Sequence, residues 1–145
     1  MSAFLSPLKK EQGQALVETA LVFAFILIPV LFGIIQFGII FNGQMTVTSA
    51  AREGARMAVV GKSNAQVKEH IINYVNNRPE SLFIVPINEN NIKIIPARDE
   101  ERVDGGNIDI TVTAETKVVV PVLNYIVGET VSVASRAVMR IEVLP

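Results

Sequence analysis

Between Thr19 and Phe41 the chain reads TALVFAFILIPVLFGIIQFGIIF, with no charged residue and with Gln36 as its only strongly polar side chain. A helix rising ~1.5 Å per residue needs about 20 apolar residues to cross the hydrocarbon of a bilayer, so this stretch is long enough to span. The sequence that follows, NGQMTVTSAAREGARMAVV, meets no strong helix breaker before Gly61. Only Asn42 and Gly43 weaken it, a glycine costing about 1 kcal/mol in a helix interior. One long helix over residues 14–61 is therefore predicted, with its membrane-spanning part at 19–41. On its second half Thr46, Ala50, Gly54 and Ala58 recur at every fourth position, beside Ala51 and Ala55. Such a face admits close approach of a packing partner, which is either the chain's own domain or a second subunit. Arg52 and Arg56 lie one turn apart on the other side, with Glu53 within reach of Arg56.

After Gly61, Ser63 suits the N-cap of a second helix whose apolar stripe is Val67, Ile71, Ile72 and Val75, ending near Asn77. NNRPES marks a break, because Pro79 and the paired asparagines favour turns. The period then changes. LFIVPI, NIKIIPA, NIDITVTAETKVVV and TVSVASRAVMRIEV are rich in Val, Ile and Thr. Apolar Ile108, Ile110 and Val112, and likewise Val131 and Val133, alternate with polar residues as half-buried strands do. PVLNYIVGE links the last two strands, which are expected to pair antiparallel. A small sheet needs a helix packed on it, so the expected fold is α+β: a long N-terminal helix continuing into a domain over 62–145 with a second helix and an antiparallel sheet.

Composition narrows the function. The chain has 145 residues, 50% of them hydrophobic, which allows one modest domain besides the apolar run. A formal net charge of −1 argues against a nucleic-acid partner. The absence of cysteine excludes disulfides, thiolate metal sites and cysteine nucleophiles. The single histidine, His70, sits in the second helix with no catalytic motif around any serine. The stretch RDEERVDGGNID offers Asp99, Glu100, Asp104, Asn107 and Asp109 as calcium ligands, but it fails the alternating loop pattern and interleaves Arg98 and Arg102. A solvated loop closing on the Gly105–Gly106 turn fits it better. No glycine-rich phosphate loop precedes a helix. No cofactor, metal site or enzymatic activity is expected.

Topology follows from the flanks. Residues 1–13 form a short leader carrying Lys9 and Lys10, and basic residues beside a span favour the cytoplasmic side. The N-terminus is expected inside and the C-terminal domain outside. The apolar run exceeds the ~7–15 residues of a signal-peptide core, so it is expected to stay with the mature chain. Pro29 falls inside the span, where proline removes a backbone donor, although membrane helices tolerate it well.

Read together, GQALVETALVFAFILIPVLFGIIQFGIIFNGQMTVTSAAREGARMAVVG resembles the TadE-like proteins of the Tad (Flp) branch of type IV pilus systems. The resemblance covers Gly13 to Gly61, and extends loosely to VSVASRAVMRIE as a closing strand. It rests on Gly13 followed by Glu18 five residues on, on Pro29 in mid-span, and on AAREGAR after the span. Two positions depart from the pattern: Thr19 where relatives often carry an aromatic, and Gln36 where many carry an acid.

The resemblance implies a pilin-like or pseudopilin protein of the cell membrane or pilus surface, cut by a prepilin peptidase between Gly13 and Gln14. The implied partners are the lipid bilayer, that peptidase, other pilin-like subunits and the Tad assembly platform, in a homo- or hetero-oligomer. Pro29, Gly33, Gly38, Ala50, Ala51, Gly54, Ala55 and Ala58 are then the expected subunit-packing residues. Glu18 would meet the new α-amine of Gln14 on a neighbouring subunit, or else serve only as an interfacial acid that fixes topology. The alternative function is an uncleaved, membrane-tethered binding module.

Overall fold

The computed structural model describes residues 8–141. The expected leader therefore lies mostly outside the described residues, as do the last residues of the expected closing strand. The chain divides into two units, one ending at Ile35 and the other beginning at Gln36. A single helix, α1 (Leu8–Val59), supplies the described part of the first unit and opens the second.

In the first unit every residue from Gly13 to Ile35 is exposed, and most are large and apolar. Among the described residues nothing covers them.

In the second unit α1 ends on Gly61, whose φ of 88° is the left-handed conformation that glycine adopts freely. The Gly61 amide donates to Ala58 O at 3.3 Å and the Lys62 amide to Met57 O at 3.2 Å, the paired bonds of a Schellman stop. Helix α2 (Asn64–Asn76) starts at once. Ser63 accepts from the Gln66 amide while the Gln66 side chain accepts from the Ser63 amide, a complete capping box. Its four-residue spacing buries Val67, Ile71 and Val75.

Strands β1 (Ile92–Ile95), β2 (Asn107–Lys117) and β3 (Thr130–Arg140) form an antiparallel sheet with β2 in the centre. Ile110 stands opposite both Ile94 and Ala137, and Ala114 opposite Val133. Period-two alternation thus puts Ile108, Ile110, Val112, Ala114 and Thr116 on one buried face. That face and the stripe of α2 close on the second half of α1, so Val47, Ala50, Ala51, Ala55 and Ala58 belong to the same core. The fold is α+β, as the change of period predicts.

Two expectations are corrected. LFIVPI is not a strand: Pro79–Phe83 makes a 3-10 turn, and only Ile84 bridges the sheet, opposite Thr116. Pro86 has no amide to donate, which limits ladder pairing there. The link PVLNYIV is a short helix, α3 (Pro121–Val127), opened by proline at its first turn and closed by Gly128 at φ 92°. Val118–Val120 accordingly leave the strand before it.

Candidate functional site

The expected processing residues Gly13, Gln14 and Glu18 all lie in α1 and are exposed. Thr19, next to Glu18, turns its hydroxyl back to donate to Ala15 O at 2.8 Å, so it binds its own helix. Pro29 and Gly33 are exposed in the same unit, and Gly38 is exposed in the second. A Cβ built on Gly33 or Gly38 meets nothing within 4 Å. A bare apolar helix of this length is the composition of a membrane span, and α1 from Gly13 onward meets the length and hydropathy of one.

The apolar run expected to span, 19–41, does not remain uncovered to its end. Gln36 is buried, 4% exposed, inside the second unit. Its Nε2 donates to Lys117 O at 3.2 Å, and its Oε1 accepts from the amides of Val119 at 2.8 Å and Val120 at 3.4 Å. One side-chain amide thereby satisfies three backbone groups where β2 ends and the chain turns into α3. Leaving such groups unpaired would cost about 1–3 kcal/mol each.

From Gln36 onward α1 lies along the sheet in a fixed register. Gly43 faces Thr116: a Cβ there would stand 2.5 Å from Thr116 Oγ1, a buried hydroxyl that makes no hydrogen bond. Gln44 Nε2 donates to Ala134 O of β3 at 2.9 Å. Gly54 faces Ile71 and Ile110, its absent Cβ leaving room for Ile71 Cδ1 at 2.5 Å. Strand β2 therefore runs antiparallel to α1, with Lys117 beside Gln36 and Ile110 beside Gly54.

This register gives the small-residue face of α1 a partner within the chain. Ala50, Ala51, Ala55 and Ala58 are 0% exposed and Gly54 is buried, all against the chain's own α2 and sheet. Of the two partners open to the small-residue face, the structure supplies the intramolecular one. Arg52 and Arg56 point outward, and Arg56 Nη2 pairs with Glu53 Oε1 at 2.9 Å. That hydrogen bond holds the Glu53 carboxyl below its ordinary pKa.

At the far end of α1 the acidic stretch has a different use from the one its composition suggests. Arg102, with a side chain only 3% exposed, donates through Nη1 to Ala58 O at 3.3 Å and to Lys62 O at 2.6 Å. Its Nη2 donates to Asn64 Oδ1 and pairs with Asp99 at 3.1 Å. The cation thus sits on carbonyls at the helix C-terminus, where the macrodipole favours it. Asp99 also accepts from the Asn64 amide at 2.9 Å. Asp109 is held across the sheet by Arg136, whose Nε lies 2.9 and 2.8 Å from its two oxygens. Hydrogen bonding to that guanidinium lowers the Asp109 pKa. Two of the five calcium candidates are thus paired with arginines. Among the described residues no group of three or more His, Asp or Glu could hold a metal ion. His70 lies partly buried beside Tyr74, ring centroids 6.3 Å apart.

The packing roles of Gln36, Gly43 and Arg102 are set by distant parts of the chain. Each carries a faint signal: a lone amide in an apolar run, a glycine in a helix, a cation among acids.

With this geometry in hand, residues 13–56 match the family model described as TadE-like protein, the family that the sequence resembles. No curated protein and no solved structure matches the chain. The matched segment and the uncovered apolar helix suggest a Tad pilus-associated membrane protein.

Proposed function

From the TadE-like match over residues 13–56 we infer that the chain is a non-enzymatic, single-pass pilin-like or pseudopilin subunit acting structurally in a Tad-type pilus. The observation that carries this reading is the coincidence of the match with a helix whose residues from Gly13 to Ile35 are exposed and mostly apolar. Lipid before assembly and neighbouring helices after it are the two surroundings in which such a helix is stable.

In this reading a prepilin peptidase cuts after Gly13 on the cytoplasmic side, leaving a chain that begins at Gln14, with the domain 62–145 on the other side. Cutting creates an α-amine, cationic at neutral pH, at the start of a helix that carries Glu18 one turn later. Glu18 pairs with the Gln14 amine of a neighbouring subunit, which fixes register between helices more than it adds stability. The exposed positions Pro29, Gly33 and Gly38 are the expected points of helix–helix approach, the two glycines offering bare backbone.

Intact-mass analysis of the chain from native membranes, with and without an active prepilin peptidase, tests this. The expected first residue is Gln14 when the peptidase is present and Met1 when it is absent. A full-length chain in both strains refutes processing and leaves the uncleaved tethered module. Glu18→Ala should insert normally but fail to assemble; normal assembly of that variant would make the acid purely topological.

A further inference from the structure

Between Lys117 and Glu129 the sequence VVVPVLNYIVG carries no charge. This is the connection between β2 and β3, the two strands that pair down to Lys117 opposite Thr130. Tyr125 is 95% exposed and Ile126 77%, with Val119 and Val127 also exposed. An uncharged, outward-facing connection is costly in water, where apolar area costs about 25 cal/mol per Å².

Its place in the fold says what covers it. Gln36 Oε1 holds the amides of Val119 and Val120, and Gln36 follows directly on the uncovered apolar helix. Phe37 and Phe41, on the next turns of α1, are exposed and stacked on each other with centroids 6.2 Å apart. Counted from Thr19, the first uncharged position after Glu18, a hydrocarbon layer ~30 Å thick is crossed in about 20 residues. That count ends within a turn of Gln36. The start of α3 is thus tied to the point where α1 reaches the far boundary of the hydrocarbon.

We propose that α3 is an interfacial anchor. The β2–β3 connection beds its Tyr125, Ile126 and Val127 side chains into the bilayer surface from which α1 emerges. A tyrosine with adjacent aliphatic residues is the composition favoured at that depth, the ring among the acyl chains and the hydroxyl among headgroups. Lys117 and Glu129 bracket the segment and stay in the headgroup water. Gln36 takes up the backbone groups that would otherwise enter an apolar layer unpaired. The domain is thereby held against the membrane at two places: α1 and α3.

This placement rests on the reading that α1 crosses a bilayer, and the test separates the two. The chain has no cysteine, so Phe25→Cys, Ile126→Cys and Val103→Cys each introduce one exposed thiol for an environment-sensitive fluorophore. Val103 lies at the opposite end of the sheet, two residues past Glu101 and just before the Gly105–Gly106 turn. The labelled full-length chains are reconstituted in phosphatidylcholine–phosphatidylglycerol vesicles containing lipids with a nitroxide either near the headgroup or near the chain end. The expected result is blue-shifted emission at Phe25, quenched most by the deep nitroxide, and blue-shifted emission at Ile126, quenched most by the shallow one. Val103 should show neither. Adding Tyr125→Glu should abolish the quenching at Ile126 without changing it at Phe25.

A buried Phe25 label with an aqueous Ile126 label overturns the anchor and leaves the span. An unquenched Phe25 label overturns both. An Ile126 label that is blue-shifted, not quenched by either lipid, and sensitive to protein concentration would assign the patch to a second copy of the chain, which also overturns the anchor.

Discussion

Gly54→Ala tests whether the small-residue face of α1 is occupied by the chain itself. In an exposed helix interior this change stabilises by about 1 kcal/mol, because alanine restricts the unfolded backbone and favours the helix. Here the new Cβ would stand 2.5 Å from Ile71 Cδ1 and 3.0 Å from its Cγ1, roughly an ångström inside normal contact at the first atom. Ile71 is 0% exposed and has little room to yield. Overpacking of this kind costs about 1–3 kcal/mol, so the net effect is a loss of about 0–2 kcal/mol in place of a gain. Ile71→Val removes the Cδ1 atom in question and costs about 0.5–1.5 kcal/mol alone. In the double variant the methyl group introduced by Gly54→Ala fills the space that Cδ1 vacates, only the 3.0 Å approach to Cγ1 remains, and most of the helix gain is recovered. The two changes should therefore couple favourably by about 1–2 kcal/mol, within the range seen for touching residues. Urea titration of the full chain in detergent, read by pulse proteolysis of the unfolded domain, gives the four stabilities. Additivity within about 0.3 kcal/mol would mean that Gly54 and Ile71 do not touch. A gain of about 1 kcal/mol from Gly54→Ala alone would mean that the face is open and free for another subunit.

Other consequences can be read on the same preparation. Gln36→Leu keeps roughly the same volume but strips three backbone groups of their partner, and should cost about 3 kcal/mol or more in urea unfolding while leaving bilayer insertion intact; an unchanged midpoint would show that water replaces the amide. Arg102→Met should lower stability by about 2–3 kcal/mol and loosen the α1–α2 junction, seen as faster amide exchange at Lys62–Asn64; protection equal to wild type would refute the clamp. Asp109 has a lowered folded pKa, so its contribution is complete above the ordinary carboxylate range near pH 4 and is lost as pH falls through the folded value. Asp109→Asn should accordingly flatten the fall in stability below about pH 4, and an identical acid limb in the variant would refute the pairing with Arg136.

What was legible in the sequence was local. Gly61 stops α1 through its own φ, and Ser63 starts α2 through bonds to residues three positions on. The alternation of Ile108, Ile110 and Val112 fixes their shared face without reference to anything distant. The register of α1 on the sheet was not legible, because it is set by contacts such as Gln36 with Val119, 83 positions apart. Periodicity says that Ala50, Gly54 and Ala58 share a face, but a helix cannot state which surface will cover that face. The acidic stretch misleads for the same reason: Asp99 and Arg102 are neighbours in sequence, yet their work is done on Asn64, Lys62 and the end of α1. Of the proposed site, the Gly13–Glu18 spacing is legible, whereas the tie from Gln36 to α3 is visible only in three dimensions.

That tie has a consequence for assembly. Because Ala50, Ala51, Gly54, Ala55 and Ala58 are enclosed by α2 and the sheet, the assembly proposed above would place close helix–helix contact between subunits at positions that the domain leaves bare. On α1 these are Gly13 to Ile35 and the outward positions just after, including Pro29, Gly33 and Gly38. In that proposed assembly the two halves of one helix would carry different tasks: the second half is the spine of a folded domain, and the first would meet neighbours. A subunit leaving the bilayer for a filament would have to lift Tyr125 and Ile126 out of the membrane surface as it goes, so the proposed anchor would oppose extraction by a free energy that grows with its apolar area. Weakening it with Tyr125→Glu should therefore ease extraction without touching the α1 face that packs, whereas a bulky residue at Gly33 should block packing and leave extraction unchanged.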